Sequence, residues 1–149
     1  MLLYGFSGGA HFASSFAEWA PEHVKAWCAY SAAWWEEPRR SKRRPPGLVI
    51  CGEDDAARYG ASLIYFKQGR ALGKPWLWLS VPRSGHRPES RVEEFVRHYF
   101  AAALNGDSHG VWVDLDLKRA VAEDSEPAVL TGWLPDSGLM EEWRTIHEP

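Results

Sequence analysis

The sequence predicts an α/β fold in which a parallel sheet of about four strands is covered by helices. Short apolar segments at residues 1–4, 24–30, 48–51 and 75–81 have the length and composition of buried strands. Segments with apolar residues at helical spacing lie between or after them, at residues 8–19, 58–72 and 90–104. Strands that alternate with helices in this order are typical of a parallel sheet.

The last of these helices has the clearest boundaries. Ser90 and Glu93 form the pattern Ser-x-x-Glu, which predicts a capping box at the N-terminus of the helix. Asn105 and Gly106 predict its end. In the same way, Gly73 predicts the end of the preceding helix, since glycine accepts the left-handed conformation that commonly follows a helix.

The sequence divides into residues 1–104, which carry the alternating pattern, and a C-terminal extension, residues 105–149. Residues 111–117 alternate apolar and polar side chains and predict a strand, with which residues 128–130 could pair. A short helix is predicted around Trp143. The alternation also explains Asp114 and Asp116 as the polar face of the strand, and without a third ligand they do not predict a metal site.

Composition excludes several classes of function. The net charge of −3 provides no field that would recruit nucleic acid, and no apolar run approaches the roughly 20 residues of a membrane span. We therefore expect neither a nucleic-acid nor a membrane partner, and a cytoplasmic location if Met1 is the true start. The basic run 39–44 stands beside prolines and predicts a solvated loop. Cys28 and Cys51 fall on predicted strands as small buried apolar residues.

The first residues carry a pattern that points to nucleophilic catalysis. Gly5-Phe6-Ser7-Gly8-Gly9 fits G-x-S-x-G, with a strand before it and a helix after it. A serine on such a sharp turn needs small neighbours because the backbone is strained there. The amide of Gly8, at the start of the helix, is placed to stabilise an oxyanion.

A serine nucleophile needs a base and an acid, and two candidates follow later strands. Asp55 comes after the strand at 48–51, and His86 comes after the strand at 75–81. Ligands of open α/β sheets bind at such strand ends, so we expect these groups to converge. Asp55 is favoured as the acid, Asp54 is the alternative, and Glu53 is expected to face solvent. The remaining histidines are interpreted as solvated or locally bonded: His11, His23, His98, His109 and His147.

Taken together, the three motifs resemble the α/β-hydrolase superfamily over residues 1–104. The stretch GFSGGAHFASSFAEWAPEHVKAW is most similar to polyhydroxybutyrate-depolymerase-like and feruloyl-esterase-like members. The resemblance implies a serine-dependent ester hydrolase that acts through an acyl-enzyme, without metal or cofactor. Ser7 would be the nucleophile, His86 the base and Asp55 the acid, and the substrate would be a small ester.

The resemblance also implies a partial α/β-hydrolase fold, because the strands that precede the nucleophile in the superfamily are missing here. We therefore expect an exposed strand before Ser7, the amide of Gly8 as the only oxyanion donor, and little turnover by this chain alone. A missing N-terminal half or a second copy would be the partner of that strand. The alternatives are an inactive remnant that serves as a binding module, and a serine peptidase of the same fold.

Trp34 and Trp35 follow the second predicted strand, at the edge of the sheet where the site is expected. They could line a pocket for an acyl or aromatic group. The alternative is an apolar cluster that lies at the surface or is covered by the missing half.

Overall fold

The computed structural model describes residues 1–105, 109–122 and 130–148 and contains the predicted parallel sheet. The strands are β1 (Leu2–Phe6), β2 (Ala26–Tyr30), β3 (Gly47–Gly52) and β4 (Trp76–Val81). Their order in the sheet is β1-β2-β3-β4, and all three pairings are parallel. This confirms the α/β class and the number of strands.

Three helices pack on this sheet: α1 (Gly8–Trp19), α2 (Ala56–Ala71) and α3 (Ser90–Leu104). Helix α2 begins two residues earlier than predicted. Its N-cap is Asp55, whose carbonyl oxygen accepts the amides of Arg58 and Tyr59 at 2.9 Å each. Gly73 follows α2 with a φ of +73°, as its position predicted. In the described part of the chain, no helix has the length and apolar character needed to cross a bilayer.

The predicted capping box at α3 is wrong. The helix already includes Ser90, its N-cap is Glu89, and no side chain caps it. Glu93 instead accepts a hydrogen bond from the hydroxyl of Tyr4 in β1 at 2.7 Å. The carboxylate of Glu93 therefore bonds to a residue distant in sequence, instead of to the backbone at the start of its own helix.

The core contains much of the aromatic content. Strands β2, β3 and β4 are buried along their whole length, as expected for parallel strands covered on both faces. Trp76 lies edge-to-face with Trp27 at 5.0 Å between ring centroids and stacks on Tyr65 at 5.0 Å. A Cβ atom at Gly69 would lie 1.9 Å from the Trp76 ring, so the glycine lets α2 approach the sheet.

The C-terminal extension contains three strands and a short helix: β5 (Val111–Asp114), β6 (Arg119–Val121), β7 (Thr131–Leu134) and α4 (Met140–Ile146). The strands form a second, antiparallel sheet of order β6-β5-β7.

The predicted strand 111–117 is too long, because β5 ends at Asp114. The carboxylate of Asp114 accepts hydrogen bonds from the amides of Asp116 and Leu117 at 2.9 Å each. Asp114 thus stabilises a turn rather than the face of a strand. Of the segment 128–130, which was expected to pair with this strand, Ala128 and Val129 lie outside the described residues, as does Gly106.

This second sheet packs beside β4. A Cβ atom at Gly132 in β7 would lie 2.8 Å from Cδ1 of Leu77, and the side chain of Arg70 donates to the carbonyl oxygen of Thr131 at 3.0 Å. The outer edge of β1, at the opposite end of the sheet, has no paired strand among the described residues. Leu2 and Tyr4 on β1 are 37% and 42% exposed. The extension therefore shields one edge of the parallel sheet and leaves the other open.

A buried ion pair joins α1 to the segment that leads into β4. Nζ of Lys74 lies 2.8 Å from Oε1 and 3.0 Å from Oε2 of Glu18, and both side chains are almost completely buried. The backbone amide of Arg39 donates to the same carboxylate at 2.7 Å. Glu18 thus connects three parts of the chain: α1, the segment before β4 and the loop between β2 and β3.

Candidate active site

Ser7 occupies a strained turn between β1 and α1. Its φ of 57° and ψ of −117° lie in a region that residues with a Cβ atom rarely adopt. Its amide donates to the carbonyl oxygen of Tyr30 at 2.8 Å, so β2 holds the turn in place. Ser7 is also the N-cap of α1, yet its side chain makes no capping hydrogen bond. The hydroxyl is therefore left to interact outside the helix.

The glycines of the motif have different roles. A Cβ atom at Gly5 would lie 1.9 Å from the carbonyl oxygen of Gly9, so β1 and α1 cross here at backbone contact distance. A Cβ atom at Gly8 or Gly9 would meet no atom within 4 Å. Gly5 is thus required by packing, whereas the side of the turn at Gly8 is open. The amides of Gly8 and Gly9 belong to the first turn of α1, where no acceptor within the helix exists.

We expect Gly5→Ala to destabilise the fold by about 1–3 kcal/mol or more, because the atoms it meets are backbone and cannot rotate away. Gly9→Ala is the matched control. It adds the same methyl group to open space, and alanine favours a helix over glycine by up to about 1 kcal/mol. Urea unfolding followed by circular dichroism measures both. Equal stability of the two variants would contradict the close approach at Gly5.

Asp55 stands at the N-cap of α2, and like Ser7 at α1 its side chain makes no capping hydrogen bond. Oδ2 of Asp55 lies 2.8 Å from Nδ1 of His86, and Oδ1 accepts a hydrogen bond from Nη1 of Arg58 at 3.0 Å. Asp55 is only 4% exposed. The neighbouring Asp54 and Glu53 are exposed, and Glu53 accepts a hydrogen bond from the Ser80 hydroxyl at 2.9 Å. Among the three carboxylates, Asp55 is the one that contacts His86.

His86 lies on the loop after β4, and the backbone of β3 anchors this loop. The amide of Asp54 donates to the carbonyl oxygen of Ser84 at 2.9 Å. A Cβ atom at Gly52 would lie 2.1 Å from that oxygen, so glycine permits the contact. The imidazole stacks on Phe6 with 4.9 Å between ring centroids. In this position Nε2 of His86 lies 3.1 Å from Oγ of Ser7.

The three side chains form one chain of hydrogen bonds. The carboxylate of Asp55 can only accept, so Nδ1 of His86 carries a proton and Nε2 is free to accept from Ser7. The His86 side chain is one-third exposed and Asp55 is buried. The arrangement can therefore remove a proton from the Ser7 hydroxyl and stabilise the imidazolium that forms.

The side chains of four other histidines have different neighbours. His98 contacts Glu142 at 2.9 Å, and His23 lies 3.6 Å from Glu22 at the surface. Two of them pack more tightly than the sequence predicted: His11 against the ring of Trp34, and His147 against that of Trp143. Burial lowers the pKa of His147 to about 4, and Lys118 adds to that shift.

The two candidate pocket residues have different environments. Trp34 is 56% exposed, and its ring lies edge-on to His11, one helical turn after Ser7, at 4.4 Å between centroids. Trp35 is half-buried and stacks on Tyr65 of α2 at 4.3 Å. Trp34 thus faces solvent near the turn that carries Ser7, whereas Trp35 packs on the core.

Sequence reasoning missed Phe6, Tyr30 and Arg58 as neighbours of the site. The spacing of Asp55 and Arg58, three residues apart at the start of a helix, was the available signal for one of them. Phe6 and Tyr30 carried none, because their contacts cross between strands and loops. Among the described residues, no group of three or more histidine, cysteine or acidic side chains could hold a metal ion.

Solved structures of other proteins share this fold over part of their length, and two of them are described here. An uncharacterized protein from Bacillus cereus ATCC 10987 matches with a TM-score of 0.62 and 16% identity, over 70% of this chain and 36% of that one. A substitution variant of SOBER1 from Arabidopsis thaliana matches with a TM-score of 0.59 and 15% identity, over 70% of this chain and 53% of that one. The similarity lies in an α/β arrangement, a parallel sheet with flanking helices. No protein-family model and no curated protein matches the sequence.

The chain spans about one third and one half of these two structures. At 15–16% identity the similarity concerns the arrangement of strands and helices. Any statement about chemistry therefore depends on the side chains of this protein.

Proposed function

We propose that this protein is a serine hydrolase that cleaves carboxylic esters through an acyl-enzyme. The observation that carries the proposal is the continuous hydrogen-bonded chain from Ser7 Oγ through the His86 imidazole to Asp55, with distances of 3.1 Å and 2.8 Å. The strained turn at Ser7 adds support, because backbone strain persists only where the surrounding structure holds it.

In this mechanism His86 accepts the proton of Ser7 while Oγ attacks the ester carbonyl carbon. The bond between the carbonyl carbon and the alkoxy oxygen then breaks, and His86 gives its proton to that oxygen. The alcohol leaves, and the acyl group remains on Ser7. Water then attacks the acyl carbon by the same route and releases the acid. The Gly8 amide donates to the oxyanion, and Asp55 keeps His86 in the required tautomer.

The surroundings of the site suggest where the acyl group lies. A Cβ atom at Gly8 would meet no atom within 4 Å, and the exposed Trp34 contacts the ring of His11, one helical turn after Ser7. We propose Trp34 as a wall of the acyl or aromatic pocket. Trp35 contributes by stacking on Tyr65 and so supporting the loop that carries Trp34.

Labelling with a fluorophosphonate tests the proposal. The reagent phosphonylates a serine hydroxyl only when a base activates it, so we expect covalent mass addition at Ser7 in the intact protein and none in Ser7→Ala. Ser14→Ala is the matched control, since this serine on α1 is buried, donates to the carbonyl oxygen of His11 and should not change the labelling. A protein that stays unlabelled would favour the inactive binding module.

The rate of labelling should also rise with pH across one proton dissociation between about pH 5 and 8. The sign follows from the role of the base, since the imidazole must be neutral to accept the Ser7 proton. Labelling rates at constant ionic strength measure this profile. A rate independent of pH over this interval would contradict a histidine base.

A further inference from the structure

Arg58 is the basic side chain in direct contact with the carboxylate of the site. It lies in the first turn of α2, and its Nη1 donates to Oδ1 of Asp55 at 3.0 Å, while Oδ2 contacts His86. The two oxygens of Asp55 are thus divided between a permanent cation and the imidazole. The carboxylate side chain is 2% exposed, so water contributes little to its solvation.

We propose that Arg58 is a positioning residue that fixes the orientation of Asp55 and limits how strongly this carboxylate holds the proton on His86. This inference rests on the proposed function only for its kinetic consequence. The electrostatic effect itself, in which Arg58 partly neutralises the carboxylate that bonds to His86, does not require turnover.

The geometry explains why Asp55 needs such a partner. An aspartate at a helix N-cap ordinarily turns its carboxylate onto the first amides of the helix. Asp55 makes no such bond, because its side chain points to His86. With Arg58 absent, Oδ1 would be a buried acceptor without a donor, and the contact with His86 alone would hold the orientation of the carboxylate.

The charge balance follows from Coulomb's law. An unscreened carboxylate stabilises the protonated imidazole, and a cation on its other oxygen reduces that effect. The same balance acts on a neighbour: burial raises the pKa of the Cys51 thiol, Asp55 adds to the rise and Arg58 opposes it.

Glu53 and Asp54, both exposed, lie on the loop after β3 that contacts the His86 loop. On the His86 loop itself the charged groups are Arg83 and the pair of Arg87 with Glu89 at 3.6 Å, in which Arg87 is exposed. Phe6, at the end of β1, and Ser7, directly after it, face the ring as neutral groups.

Arg58→Gln should therefore let His86 keep its proton to higher pH. We expect the midpoint of the imidazole titration, followed by NMR in a Ser7→Ala background, to move up by roughly 0.5–1 pH unit. In the protein with Ser7 intact, the acid limb of the labelling or ester-hydrolysis profile should move in the same direction. KM should change little, because Arg58 lies behind Asp55.

Arg58→Lys separates charge from geometry. Lysine keeps the positive charge and should restore most of the midpoint, but it lacks the planar fork that fixes a carboxylate. We expect its plateau rate to stay below that of the wild type, by about tenfold, with an unchanged KM. If Arg58→Gln does not fold, this variant decides the question, since a wild-type plateau rate would overturn the positioning role.

Arg87→Gln is the matched control, because it removes a positive charge next to His86 that is exposed and does not touch Asp55. It should move the midpoint far less than Arg58→Gln. Equal shifts would overturn the proposal, as would a folded Arg58→Gln with lower thermal stability and an unmoved midpoint. Because the NMR titration uses Ser7→Ala, a failure of the ester-hydrolase proposal leaves this result interpretable.

Discussion

Replacing Ser7 or His86 with alanine is expected to abolish nearly all of the ester hydrolysis that this chain carries out. Each side chain acts only through the other, since Nε2 of His86 lies 3.1 Å from Oγ of Ser7. The double variant should therefore be hardly slower than either single variant. Turnover of a p-nitrophenyl ester, normalised to folded protein, measures the three rates.

His98→Ala is the matched control for the histidine, because His98 contacts Glu142 at the surface. It should keep the wild-type rate. Full activity in His86→Ala, or additive losses in the double variant, would contradict the assignment.

The same assay distinguishes the two adjacent aspartates. Asp55→Ala should lose most of the activity because Nδ1 of His86 loses its only acceptor in the chain of hydrogen bonds. Asp54→Ala should lose little, since its contact with the His86 loop runs through its backbone amide. The reverse order would make Asp54 the acid.

Lys74→Met is expected to lower the free energy of unfolding by about 3–5 kcal/mol. The substitution leaves the carboxylate of Glu18 buried without its cation, while methionine fills a similar volume. The effect is large because the charge of Glu18 would remain buried without a counter-ion. The lost attraction between the two charges contributes less. Urea unfolding at neutral pH, followed by tryptophan fluorescence, measures it.

Two further variants test that explanation. Adding Glu18→Gln to Lys74→Met removes the unpaired charge and keeps an acceptor for the amide of Arg39, so it should recover part of the stability. Glu36→Gln breaks the exposed pair with Arg39, at 3.8 Å, and should cost less than about 1 kcal/mol. A double variant less stable than Lys74→Met alone would contradict the charge-burial argument.

The sequence by itself was sufficient to predict the alternation of strands and helices and the motif at Ser7. Both depend on local properties. Strand β3 is apolar along its length, α1 has helical periodicity, and small residues surround the turn at Ser7. Each of these patterns lies within a short stretch of sequence, so it can be recognised without knowledge of any long-range contact.

Only the tertiary structure determined which polar groups form hydrogen bonds with one another. Glu93 fits a capping box by its spacing, yet it bonds to Tyr4, 89 residues away along the chain. Asp55 could cap α2 but bonds to His86 and Arg58 instead. The position of the C-terminal extension beside β4 likewise depends on contacts such as Arg70 with Thr131. A carboxylate has several partners of similar energy, and burial selects among them only once the chain has folded.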